Sequence, residues 1–118
     1  MSRPRFLADH DLNENILHGV WRHEPTIVFR SAREFQLEQR PDDELLAFAA
    51  ARGLIAVSHD VNTMRAAALA RIDRGEPFSG LIMIHQRAPL ANTIEDLVLI
   101  WAASEAEEWV NEVQFLPL

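Results

Sequence analysis

Short apolar runs alternate along the chain with longer stretches in which apolar residues recur every three or four positions. Residues 5–8 (Arg-Phe-Leu-Ala) run straight into Asp9-His10-Asp11, the pattern of a short buried strand with a polar end. Residues 13–21 place Ile16, Leu17 and Val20 on one helical stripe. Residues 26–29 are β-branched and aromatic and predict a second strand, whereas residues 31–39 carry no decisive period. Pro41-Asp42-Asp43-Glu44 opens a helix that fills with alanine and leucine and stops at Gly53. Residues 54–57 form a buried strand leading into Ser58-His59-Asp60. Residues 61–74 are alanine-rich and helical, closed by Gly75 and Pro77. Residues 80–84 predict a further strand, followed by His85-Gln86-Arg87. Asn92 with Glu95 reads as a capping box for a helix to about Ala103, Ser104 as the cap of one more turn, and residues 113–116 as a last strand.

Strands that alternate with helices predict an α/β fold: a central, mainly parallel sheet with helices on both faces. The 118 residues make one domain, 1–118, with no linker-like stretch or internal repeat to divide it. Trp21, Trp101 and Trp109 read as core residues. The longest apolar run, 97–103, falls far short of the ~20 residues of a membrane span. Arg3 and Arg5 are followed by Asp9, Asp11 and Glu14, which interrupt any signal-peptide core, so the expected location is the cytoplasm, with no membrane partner.

Composition narrows the chemistry. Cysteine is absent, which removes disulfides, thiolate metal sites and cysteine nucleophiles. All 11 basic residues are arginine, so lysine Schiff bases and the phosphate-gripping lysine of P-loops are excluded. The net charge of −7 argues against generic nucleic-acid binding, which depends on clustered cations, although a local arginine patch still serves.

Ligands of open parallel sheets sit beyond the carboxyl ends of the strands. There the chain places Asp9 and Asp60, with Asp42 or Asp43 near if their helix starts at the same edge. Converging carboxylates repel one another unless a hard cation bridges them, and Mg²⁺ or Mn²⁺ suits such oxygen ligands. The same acids have structural readings. Asp42 suits a helix N-cap, Asp43 and Glu44 complement a helix dipole, and Asp60 caps the helix after it. His10, His59 and His85 lack zinc spacing, and His59 reads as orienting a neighbour.

These segments resemble the PIN-like domains found in bacterial toxin–antitoxin-type gene pairs. Phe6-Leu7-Ala8-Asp9 resembles their opening motif, Asp42-Asp43-Glu44-Leu45-Leu46-Ala47-Phe48-Ala49 their acidic helix, and Ala56-Val57-Ser58-His59-Asp60-Val61-Asn62 their Thr-x-Asp-x-Asp-Phe segment. Gly80-Leu81-Ile82-Met83 matches the following strand, so the resemblance spans nearly the whole chain. It implies a metal-dependent ribonuclease that cleaves single-stranded RNA with Mg²⁺- or Mn²⁺-activated water. Asp9, Asp42 and Asp60 would be the catalytic and metal-binding acids. Asn62, Asp11, Asp43, Ser58 and His59 are candidate accessory residues. Asn62 stands where the family has an acid, Thr63 where it has an aromatic residue, and His10-Asp11 where it has Glu-Asn. Arg5, Arg33, Arg65 and Arg87 are candidate phosphate contacts. An antitoxin-like protein or a second copy of the chain, forming a homodimer, is the protein partner implied.

Two alternatives stand beside this reading. One is a catalytically silent PIN-like interaction domain, favoured by the lost charge at Asn62. The other is a haloacid-dehalogenase-like phosphatase, suggested by Asp9-His10-Asp11 and Val57-Ser58 but lacking the lysine such enzymes use.

Overall fold

In the computed structural model, which describes residues 2–118, the alternation is realised element by element. β1 (Phe6–Ala8) leads to α1 (Glu14–His23), and β2 (Phe29–Ser31) to a 3-10 turn (Ala32–Phe35) and α2 (Asp42–Arg52). β3 (Ile55–Ser58), α3 (Thr63–Asp73), β4 (Leu81–Ile84) and α4 (Leu90–Ala103) follow, then a second 3-10 turn (Ala106–Trp109) and β5 (Val113–Leu116). The five strands form one sheet in the order β2-β1-β3-β4-β5, and every adjacent pair is parallel.

Side chains alternate across the sheet, and helices cover both faces. Phe6, Ala8, Ile55, Val57, Ile82 and Ile84 join Ile16, Leu17 and Val20 of α1 and Ile94, Leu97 and Ile100 of α4. Leu7, Ala56, Leu81 and Met83 point the other way, into Leu45, Leu46 and Ala49 of α2 and Met64 and Ala68 of α3. Burial on both faces explains why β1, β3 and β4 read as unbroken apolar runs and not as alternating ones. No helix among the described residues is long and apolar enough to cross a membrane.

Three boundaries and one core assignment differ from expectation. The second strand begins at Phe29 and not at Thr26, because residues 24–27 are consumed by a turn in which the Ile27 N–H donates to the Glu24 carbonyl at 3.1 Å. Asn92 is no cap: Pro89 occupies that position, α4 starts at Leu90, and the Thr93 N–H donates to the Pro89 carbonyl at 3.1 Å. Ser104 closes α4, with its hydroxyl donating to the Ile100 carbonyl at 2.5 Å, while Glu105 and Glu108 form the capping box of the next turn. Trp21 is not a core residue, being 37 % exposed; Trp101 and Trp109 pack against the core half-buried.

α1 and α4 touch at Gly19. A Cβ built there would lie 2.1 Å from Cδ1 and 2.9 Å from Cγ1 of the buried Ile94. Gly19→Ala should therefore destabilise the protein by about 1–3 kcal/mol through overpacking, read from denaturant unfolding. In an Ile94→Ala background the same substitution should instead stabilise by up to about 1 kcal/mol, the helix-propensity gain of alanine over glycine. Equal effects in the two backgrounds would show that the contact does not limit packing.

Candidate metal-binding site

The chain leaves β1 for β2 on one side and returns to β3 on the other, so the carboxyl ends of β1 and β3 flank the reversal of strand order. Open α/β sheets bind ligands in the crevice at such a point. Asp9 follows β1 and Ser58-His59-Asp60 ends β3, and the Asp9 N–H extends their ladder by donating to the Val57 carbonyl at 2.9 Å.

Asp9 is only 6 % exposed. Burying a carboxylate is costly without donors, and three converge on this one. One oxygen accepts from the His10 backbone N–H at 2.8 Å and faces His10 Nδ1 at 3.1 Å; the other accepts from the Ser58 hydroxyl at 2.8 Å. Ser58 Oγ in turn accepts from the Asp60 N–H at 2.9 Å, coupling the two strand ends. His10 Nε2 faces Asp11 at 3.0 Å, so both ring nitrogens meet carboxylates. Asp9, His10 and Asp11 offer ligand atoms within 4.8 Å of one another, the one set of three such groups among the described residues.

Asp42 and Asp60 lie outside that set and meet each other through a side chain that the sequence patterns did not single out as a site residue. Thr63 Oγ1 contacts Asp42 Oδ2 at 2.6 Å and also makes a very short contact with Asp60 Oδ2. A hydroxyl has one proton, so it donates to one carboxylate at a time, and the other oxygen faces a lone pair. The Thr63 hydroxyl holds the Asp60 carboxyl below the usual carboxylate range, aided by the N–H groups at the start of α3 and opposed by partial burial. Asp60 Oδ1 accepts from the Asn62 and Thr63 N–H groups at 3.0 and 2.9 Å, so it braces the start of α3 from two residues before the N-cap, Asn62, without being the cap itself. The capping reading of Asp42 fails: Pro41 is the N-cap of α2 and no side chain caps the helix. The signal for Thr63 was its place three residues after Asp60, in the first turn of a helix that Asp60 braces.

The accessory residues divide. Ser58 is wholly buried and bonded to both strand ends, as above. Asp43 is drawn away into an ion pair with Arg74 at 2.8 Å, and Asp11 is exposed at the rim. Asn62 is exposed at the N-cap of α3 with no capping bond from its side chain. His59 reaches no acid; its Nδ1 lies 2.9 Å from the Ile84 carbonyl and its Nε2 accepts from the Asn13 N–H at 3.3 Å, which ties β3, β4 and the start of α1 together. Among the arginines, Arg33 pairs with Glu14 at 3.5 Å, Arg65 and Arg87 are exposed at the same sheet edge as the acids, and Arg5 lies at the opposite edge.

Comparison with protein-family models, curated proteins and solved structures finds no match for this chain.

A depressed folded-state pKa at Asp60 contributes stability that is present above the unfolded value, near ~3.9, and lost as pH falls through the folded value. Thr63→Val removes the largest cause of that depression. The variant should show a higher midpoint for the Asp60 carboxyl carbon in NMR titration, and less of its stability should depend on the acid limb. An Asp60 titration identical in both proteins would separate Thr63 from this carboxylate.

Proposed function

We propose that the protein is a Mg²⁺- or Mn²⁺-dependent ribonuclease of the PIN-like type, acting on single-stranded RNA in the cytoplasm, with Asp9, Asp42 and Asp60 as its working acids. The observation that carries the reading is the convergence of Asp42 and Asp60 on one hydroxyl, beside the buried Asp9 at the reversal of strand order. Two carboxylates sharing a single proton donor fit an added hard cation, and the donor set of carboxylate and hydroxyl oxygens is the one such ions select. Asp42 and Asp60 would hold it, with Asp9 behind them. When bound, a divalent cation polarises a phosphodiester and lowers the pKa of a water.

The chain's own residues supply the rest. The bonds from the start of α3 and from Thr63 keep Asp60 charged, Ser58 and His10 fix the Asp9 carboxylate, and Arg65 and Arg87 put positive charge on the edge where a phosphate backbone would pass. A second reading, a silent interaction domain held by an antitoxin-like partner or in a homodimer, draws on two observations. Asn62 adds no charge, and His10 already engages both Asp9 and Asp11.

The test is cleavage of a mixed single-stranded RNA with Mg²⁺, Mn²⁺ or EDTA. Wild type should cleave only with metal, and Asp42→Asn and Asp60→Asn should each lose about 10²-fold or more in rate, an electrostatic loss of roughly 2.7 kcal/mol or greater. Clean absence of cleavage by folded wild type would select the silent domain. Metal binding is read separately: Mn²⁺ at about 100 times its dissociation constant should add roughly 2.7 kcal/mol of stability. Asn62→Asp, which places a carboxylate beside Asp60, should tighten Mn²⁺ binding by calorimetry; unchanged affinity would remove Asn62 from the site.

A further inference from the structure

At the amino end of the sheet, away from the acids, a cavity of about 220 Å³ is lined by Arg5, Val28, Arg30, Phe35, Arg52 and Leu54. Three arginines thus face one space with no carboxylate in its wall, in a chain whose net charge is −7. Like charges gathered this way repel one another unless something anionic joins them. Arg30 is partly compensated, its Nε donating to Glu34 at 2.7 Å. Arg5 and Arg52 have no carboxylate partner among the described residues.

What holds the guanidiniums is not charge. Arg52 stacks on Phe48, with its Cζ 3.8 Å from the ring centroid, and lies 5.6 Å from Phe35; Arg30 lies 5.2 Å from Phe35. The two rings support each other at 4.7 Å. Arg5 Nη2 donates to the Arg52 carbonyl at 2.6 Å, at the end of α2. Gly53 makes room for it: its φ of +67° closes the helix, and a Cβ there would lie 2.9 Å from that nitrogen. Stacking fixes a guanidinium plane while leaving its N–H edge free, the presentation that suits bidentate contact with phosphate oxygens.

We propose that this cavity is a phosphate-binding subsite, recognising the phosphate of a nucleotide through Arg5, Arg30 and Arg52. The nucleotide can arrive free or as a link in a single strand. The subsite stands independently of the nuclease reading, since Arg52 lies at the far end of α2 from Asp42, about 15 Å at the helical rise.

The test is binding in EDTA, so that no cleavage intervenes. Adenosine monophosphate is titrated by calorimetry and a fluorescein-labelled single-stranded RNA by anisotropy, against wild type, Arg52→Gln, Arg30→Gln and Arg40→Gln. Thermal unfolding checks that each variant is folded. Wild type should bind at least one probe, and Arg52→Gln and Arg30→Gln should each weaken it about tenfold. Arg40→Gln, at the other end of α2 and outside the cavity wall, should leave monophosphate binding unchanged. A gain with the strand, whose log–log salt slope falls by roughly one in the arginine variants, identifies a strand phosphate as the source. Binding of the monophosphate with no gain for the strand identifies a free nucleotide. Binding of neither probe, or binding that Arg52→Gln and Arg30→Gln leave intact, would overturn the proposal.

Discussion

The buried carboxylate of Asp9 is the constraint around which the carboxyl edge of the sheet is arranged. A charge placed beyond a strand that is covered on both faces needs donors, and they come from two directions. The turn after β1 supplies the His10 N–H and ring, and the end of β3 supplies the Ser58 hydroxyl. Ser58 then accepts from the Asp60 N–H, so the strand end that satisfies Asp9 also sets where Asp60 begins α3. Asp60 in turn orders the first turn of α3, and Thr63 in that turn reaches across to Asp42 on α2. One chain of hydrogen bonds therefore runs from β1 through β3 and α3 to α2. Its inner bond, from Ser58 to Asp9, is buried, where a satisfied polar contact is worth most.

An acidic cluster and an arginine cluster lie at opposite edges of the sheet. The carboxyl edge gathers Asp9, Asp11, Asp42 and Asp60, with the His10 ring between Asp9 and Asp11. The amino edge gathers Arg5 and Arg52, with Arg30 on the outermost strand above them. The net charge says nothing of this, because it averages the two. A chain of −7 with a local arginine cavity is consistent with the weak generic affinity expected of an acidic protein and with a specific anion contact.

The fold was legible because both of its signals are strong. β1, β3 and β4 are buried on both faces and so appear as continuous apolar runs, and α2 is bounded by Pro41 and by Gly53 in a left-handed turn. Where the signals competed, the pattern misled. Thr26-Ile27-Val28 has strand composition, yet Pro25 and the turn closed by Glu24 claim those residues, and Ile27 is buried without belonging to a strand. Asn92 and Glu95 have capping-box spacing, yet Pro89, which cannot continue a helix backwards, sets the start of α4. In the site, Asp9, Asp42 and Asp60 all reach the same edge, since strand ends and helix starts follow from topology. What topology does not convey is which side chains meet. Thr63 was invisible as a site residue because its contact to Asp42 joins helices on separate segments, and Asp43 beside Asp42 turns to Arg74 instead.

Asp42 and Asp60 and the pair Asp9 and Asp11 pose the same problem of like charge at close range, and the chain meets it differently in each case. His10 bridges Asp9 and Asp11 with both ring nitrogens, a partner supplied from between them in the chain. Thr63 gives Asp42 and Asp60 one proton for two carboxylates, and the N–H groups at the start of α3 serve Asp60 alone. Asp60 cannot escape by protonating at neutral pH, since the bonds it accepts from the start of α3 favour its charged form. The deficit therefore sits on Asp42, which accepts from Thr63 alone, and not on Asp9, although Asp9 is the more deeply buried acid. A divalent ion drawn to this edge would meet the least compensated oxygens first. Under the proposed metal-dependent reading, Asp42 would make the direct contact with Asp60 beside it, and Asp9 would hold the ends of β1 and β3 together behind them.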